Sequence, residues 1–389
     1  MVRSMELSWI LLFITAWHHI IGIGAMYPDK KMQYGPGSFG DDTPQFLLFT
    51  YSGNLTMKTR ELLAGLFPDT YRNPNGCPIG ITLFIVSHDA NACSVHRMYT
   101  RGHEIALSGL NYISRVDTWN KYDWKASIKA QQLLIVNASK VDQPDIVGMR
   151  AQRFFPGNNE QFEMLNENHF VYDSSLLIDP DANRLDRAKY IWPFLMNKES
   201  LERISCQAGC PNKTFHGLWE VPVNQLFDLK TMGLKCTYLD QCLSHCHNGD
   251  DVRDLLLVHL QYVIRDHRAP VHINLRPLTL DSPIALDGIR KFLDHVHRRH
   301  DVWIVTMSQL MNWIKVPTRN SLLAPKHFWQ CNKRVYIKCS ERGKNTTVAR
   351  VTLYQVMDVN KLLMWQTIFF VILFIVAYQY DKYSTDVLT

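Results

Sequence analysis

Gln45-Phe-Leu-Leu-Phe-Thr-Tyr51, Met57-Lys-Thr-Arg-Glu-Leu-Leu-Ala-Gly-Leu66 and Ile79-Gly-Ile-Thr-Leu-Phe-Ile-Val86 decide the fold. The first and third are short apolar runs that read as strands, the third rich in Ile, Phe and Val. The second reads as a helix. Strand, helix, strand is the repeating unit of a sheet with parallel strands. The alternation continues along the chain. A helix is expected over 125–137, with Ala126, Ala130, Leu133 and Leu134 on its inner face. Another is expected over 252–265, and a third over 284–299, where Ile289, Phe292, Leu293 and Val296 recur at i, i+3, i+4 and i+7. Strands are expected at 218–223, 271–275 and 302–306, with a closing helix at 308–314. The expected fold class is α/β: a single distorted (β/α) barrel over 42–316.

The chain has 389 residues, 46% hydrophobic and 20% charged, which is the composition of a globular protein. Its net charge of +6, from 42 basic and 36 acidic residues, comes without a Lys/Arg block. Nucleic acid is therefore not an expected partner. Arg3, the apolar run 7–17 and the small residues Gly22, Gly24 and Ala25 read as a signal peptide over 1–25. Residues 362–380 are almost continuously apolar and long enough to cross a bilayer, with Trp365, Tyr378 and Tyr380 near the ends, as interfacial anchors are. The polar tail 381–389 argues against a lipid-anchor signal. The expectation is a single-pass membrane protein of the cell surface with its domain outside, joined to the membrane helix by a cysteine-containing stalk over 317–361.

Nine cysteines in a secretory chain read as disulfides with one left over. A zinc reading of Cys206/Cys210 and Cys242/Cys246 ranks below that in this compartment. Sequons at Asn54, Asn137, Asn212 and Asn345 make the expected product a glycoprotein.

Ten segments, in order, resemble the polysaccharide deacetylase (NodB-type) family, in particular the animal, insect-like chitin deacetylases. They are Asp42-Thr-Pro-Gln-Phe46; Asn75-Gly-Cys-Pro-Ile-Gly80 with Thr82-Leu-Phe-Ile-Val-Ser-His88; Gly102-His-Glu-Ile-Ala106; Gly148-Met-Arg-Ala151; Gly157-Asn-Asn-Glu-Gln-Phe162; Tyr172-Asp-Ser-Ser175; Gly217-Leu-Trp-Glu-Val-Pro222; Arg268-Ala-Pro270; Asp301-Val-Trp-Ile-Val-Thr306; and Phe328-Trp-Gln-Cys331. The resemblance implies disulfides Cys206–Cys210, Cys236–Cys242 and Cys77–Cys331. It implies metal-assisted hydrolysis of an acetamide: zinc held by one Asp and two His, a second Asp as base, a His as acid, and an Arg orienting the base.

At those positions this chain departs from the family. The base position is Ser52 and the acid position Arg276. The metal positions are Gly53, Ser108 and Tyr112. Only the orienting Arg150 is retained. A general acid or base is worth about 10²–10⁴-fold, and here both change together with all three ligands. The expectation is therefore a chitin deacetylase-like pseudoenzyme with no cofactor, binding a polysaccharide, chitin among the candidates, without hydrolysing it. Arg150, Arg276 and Trp219 are the candidate glycan or anion contacts. Two alternatives stand beside it: an interaction scaffold with no sugar affinity, and a residual carbon–nitrogen hydrolase, to which a metal site rebuilt from His88, Asp89, His103 and Glu104 would belong. Arg150 and Arg276, if both lie on the cavity floor, need an anion between them. Glu220, another protein carboxylate or an acidic sugar would serve.

Overall fold

The computed structural model describes residues 39–86, 90–109, 116–178, 190–202, 204, 209–228, 234–266, 268–324, 331 and 339. Among them run thirteen strands: β1 Gln45–Gly53, β2 Thr82–Ile85, β3 Glu104–Leu107, β4 Gly148–Met149, β5 Tyr172–Asp173, β6 Leu177–Ile178, β7 Phe194–Leu195, β8 Trp219–Glu220, β9 Val223–Asn224, β10 Leu226–Phe227, β11 Lys235–Cys236, β12 Val271–Leu275 and β13 Val302–Ile304. Nine of these form the main sheet, in the order β12-β1-β2-β3-β4-β5-β8-β7, with β13 also on β1. The strand β1 is its axis. Leu47–Tyr51 pair in parallel with Val271–Leu275, Thr50–Gly53 with Thr82–Ile85, and Gln45–Leu47 with Val302–Ile304. Eight of its nine residues are buried, which is why it reads as one apolar run rather than an alternation.

The single distorted (β/α) barrel expected from the sequence takes the form of a curled, open half-barrel. Among the described residues the end strands β12 and β7 do not pair with each other, and β7 runs antiparallel to β8. A barrel closes only when its last strand bonds to its first. Here β4, β5 and β8 hold only two residues each, and β9 leaves the main sheet to pair with β6.

Helices cover the sheet. Met57–Leu66 is N-capped by Thr56, whose side chain accepts from Thr59 N. Pro283–Val296 starts at the cap Ser282 with Pro at its first turn, and it buries Ile289, Phe292, Leu293 and Val296, the face its periodicity predicts. Lys121–Ser139 buries a different face from the expected one. Trp124, Ile128, Gln131 and Ile135 point inward, and Leu133 is 54% exposed. Gln131 shares that face by its bonds: its Nε2 donates to Ile85 O (2.5 Å), and its Oε1 accepts from Ser108 N and Gly109 N. One apolar core runs from Phe46 to Leu323.

Disulfides join Cys77 to Cys331, Cys93 to Cys339 and Cys236 to Cys242. Cys210 is also disulfide-bonded, while Cys206 lies outside the described residues. The stretch expected to be a stalk from 317 begins on the body itself. Leu323 is 1% exposed, Trp313 Nε1 donates to Thr318 O, Cys331 is tied to Cys77 in the loop before β2, and Cys339 to Cys93 in the helix Ala92–Thr100 after it. No helix among the described residues is long and apolar enough to cross a membrane. The segments 1–25 and 362–380, to which a signal peptide and a membrane helix were assigned, lie outside the described residues.

Candidate functional site

Successive side chains of a strand point to opposite faces. Thr50 and Ser52 on β1 therefore share a face, and Asn274 on β12 stands beside Thr50 in register. Thr50 Oγ1 donates to Asn274 Oδ1 (2.7 Å). Arg150 follows β4, its backbone N bonded to Leu107 O, and reaches this floor. Its Nη1 donates to Thr50 Oγ1 (2.8 Å), with longer contacts of 3.4 Å to Ser52 Oγ and Asn274 Oδ1. Its Nε and Nη2 go to Ser174 O (3.0 Å) and Ser174 Oγ (3.1 Å). The guanidinium carbon lies 3.9 Å from the centre of the Phe84 ring and 4.7 Å from that of Phe154. Burial pulls the group down to about 10, so it remains a cation at neutral pH. Among the described residues, every hydrogen bond it makes goes to a neutral acceptor.

Its counter-charge is a field rather than a contact. Asp173 and Glu220 face each other in register across β5 and β8, both fully buried. Asp173 accepts from Ser175 N, Ser175 Oγ and Gln161 Nε2. Glu220 accepts from Leu176 N. Burial lifts Asp173 to about 6. Burial first, and the Asp173 charge second, lift Glu220 well above the ordinary carboxyl range. Glu220 therefore holds the proton of the pair, and Asp173 carries the negative charge that faces Arg150.

The second arginine sits higher. Arg276 caps the short helix Pro277–Leu280 at the end of β12 and gives Nε and Nη2 to both oxygens of Asp240. Thr279 Oγ1 also donates to Asp240 (2.6 Å). Tyr238 lies under the guanidinium, 4.7 Å from its carbon to the ring centre, and Phe154 packs on Tyr238 at 5.3 Å. The two arginines are thus separated by a pair of aromatic rings. The anion that Arg276 needs is Asp240, not Glu220.

The metal positions offer few donors. Gly53 has no side chain, and a Cβ there would stand 2.7 Å from the Tyr51 hydroxyl and 3.3 Å from Pro277 Cδ. That hydroxyl donates to Asn54 O. Ser108 Oγ is buried and donates to Arg150 O (2.9 Å). Tyr112 lies outside the described residues. Glu104 is spent on Thr82 Oγ1, Tyr172 Oη and Ser308 N, and His103 is buried beside it. The rebuilt site of His88, Asp89, His103 and Glu104 is not assembled from the two that are described, and His88 and Asp89 lie outside. Among the described residues no group of three or more His, Cys, Asp or Glu is placed to hold a metal. The donors present at 53 and 108 do not fit a divalent ion.

Of the candidate contacts, Trp219 is 3% exposed and Arg150 1%, both beneath the surface. The Arg276 side chain, 30% exposed, and half-buried Ser52 reach it. Sequence reasoning gave no role to Thr50, Asn274, Ser174, Tyr238 and Asp240. Signals existed for two of them: Thr50 is two residues before Ser52 on the same strand and so on the same face, and Ser174 lies within the matched segment Tyr172–Ser175. Asn54 is half-buried, Asn137 and Asn212 are exposed, and Asn345 lies outside the described residues.

No protein-family model matches the chain. It is 27% identical over 312 residues to chitin deacetylase 1 of Bombyx mori, spanning 78% of this chain and 56% of that relative. It is 22% identical over 290 residues to chitin deacetylase 8 of the same organism, spanning 71% and 72%. The chain thus covers little more than half of the first relative's length. Among solved structures it is similar to a Mycobacterium smegmatis protein described as a polysaccharide deacetylase, at 18% identity and TM-score 0.44 over 70% of this chain and 93% of the other. A family 4 acetyl xylan esterase from Clostridium thermocellum, similar at 13% identity and TM-score 0.35 over 72% and 96%, is in complex with a cobalt ion. The expectation of no cofactor is corrected by that finding: an enzyme to which the chain is similar is in complex with a metal ion.

Proposed function

We propose that the chain, a member of the NodB-type polysaccharide deacetylase family close to the insect chitin deacetylases, is a deacetylase-like protein of the secretory pathway that binds a glycan in the family groove without hydrolysing it. One observation carries the reading. The orienting Arg150 remains in place, but the groups it orients are Thr50, Ser52, Asn274 and Ser174, none of which ionises at neutral pH. A general base must take a proton at working pH, and Ser52 has no described partner that would make it one. The acid position is equally spent, because the Arg276 charge is held by Asp240.

What is left suits a neutral sugar. The floor is polar but balanced in charge, with Arg150 set against Asp173 and Arg276 against Asp240. Hydroxyls and the Tyr238 and Phe154 rings surround it. The disulfides support a compartment of the secretory pathway, where such bonds persist. Anchorage through residues 362–380 remains part of the reading on their composition alone.

The test is titration calorimetry of the purified chain, made without N-glycans that would compete, against chito-oligosaccharides. Saturable binding that Ser52→Trp removes is expected. No binding to any chito-oligosaccharide would overturn the reading in favour of a scaffold.

A further inference from the structure

Resting on that reading, we infer that the first occupant of the groove is the chain's own N-glycan, attached at Asn54. The sequon Asn54-Leu55-Thr56 begins one residue after β1 ends. Two extended residues span at most about 7 Å, so Asn54 lies within that distance of Ser52 at the mouth of the site. The backbone at this point is fixed. Asn54 O accepts from the Tyr51 hydroxyl (3.1 Å), and Leu55 O accepts from Asn91 N (2.9 Å). Leu55 is fully buried, and Thr56 caps the helix Met57–Leu66. The Asn54 side chain between these anchors is half-buried, so part of it reaches the surface beside Ser52. The disulfides fit the secretory compartment of the proposed function, where such glycans are added.

The chemistry of the occupant matches the site. The inner disaccharide of an N-glycan is the same β-linked di-N-acetylglucosamine unit that chitin repeats. A ligand on so short a tether meets its site at an effective concentration of order millimolar. It would therefore fill a groove of ordinary carbohydrate affinity and exclude ligand from solution. A Cβ at 53 would already meet Tyr51 Oη at 2.7 Å. The attached sugar would close the same rim from outside.

The experiment compares the chain made in a secretory host with Asn54→Gln and with Thr56→Asp. The second variant removes the sequon by another residue and keeps a capping side chain. Glycopeptide mapping reads occupancy at Asn54, with exposed Asn137 and Asn212 as processing controls. Calorimetry reads affinity for chitotetraose. The expected result is an occupied Asn54, with both variants binding about tenfold or more tighter than the parent. An unoccupied Asn54 beside occupied controls overturns the inference and leaves the binding reading standing. So does an occupied Asn54 with equal affinity in all three proteins. An occupied Asn54 with no binding in any of them overturns the binding reading, and the inference with it.

Discussion

Arg276 gives two guanidinium nitrogens to the two carboxylate oxygens of Asp240, a residue 36 positions earlier in the chain. The charge that might have drawn an acidic ligand into the groove is thereby cancelled within the protein. The Asp240 side chain is 13% exposed and that of Arg276 30%, so the pair is only lightly screened, and Asp240 also receives Thr279. Asp240→Asn should destabilise the fold by about 1–3 kcal/mol, the range for removing one partner of a partly buried charged hydrogen bond. Urea denaturation measures it. An unchanged midpoint would mean that the pair is not formed in solution, and that Arg276 is available to a ligand.

The pair Asp173 and Glu220 predicts a pH dependence. Both folded-state values are raised, Asp173 from 3.8 to about 6 and Glu220 well above 4.5, by burial first. The sign follows from linkage. A carboxyl that binds its proton more tightly when folded contributes stability that is full below its unfolded value and is lost as pH rises through the folded one. Buried His259 and His272, pushed down to about 4 and about 3 by desolvation, act in the opposite direction as pH falls, so the parent protein alone does not isolate the carboxyl effect. Glu220→Gln does, because the histidines are common to both proteins. Glutamine resembles the protonated form that Glu220 already holds. The variant should match the parent in acid and become the more stable of the two toward alkaline pH. A large loss of stability at every pH would refute a protonated Glu220.

Tyr51 and Gly53 should be coupled. Gly53→Asp forces its Cβ against the Tyr51 hydroxyl, and such overpacking costs about 1–3 kcal/mol. Tyr51→Phe removes the obstructing oxygen. The double variant should therefore be more stable than the sum of the two single effects predicts, which a double-mutant cycle on thermal unfolding reads directly. Strict additivity would show that the Tyr51 hydroxyl is not what limits the space at 53, where the ring carbon at 3.0 Å and Pro277 Cδ at 3.3 Å remain.

Much of the fold was legible because its main signals are local. The strand β1 is a buried run with no polar alternation, and Ile289, Phe292, Leu293 and Val296 repeat at helical spacing. The inner face of Lys121–Ser139 was not legible. Trp124, Ile128 and Ile135 form its apolar stripe, but Ala126, Ala130, Leu133 and Leu134 offered a rival one, and Gln131, a polar residue that shares the buried face by satisfying Ile85 O and two loop amides, gives hydrophobic periodicity no signal to choose between them. Openness of the sheet was hidden for a related reason: it depends on whether β12 meets β7, a contact between strands far apart in sequence. At the site, the residues aligned with motifs were readable as identities. Their partners were not, since Asp240 reaches Arg276 and Thr50 reaches Asn274 only through the fold. Cys93–Cys339 was equally invisible, since spacing alone did not choose among the cysteines.

The central claim is binding without hydrolysis. It is tested most directly by following acetate release from chitotetraose, with zinc or cobalt supplied, in the same samples of the Asn54→Gln chain whose binding is measured by calorimetry. The account predicts a saturable binding isotherm and acetate release no faster than in protein-free controls. Metal-dependent release of acetate that chelation abolishes would contradict it.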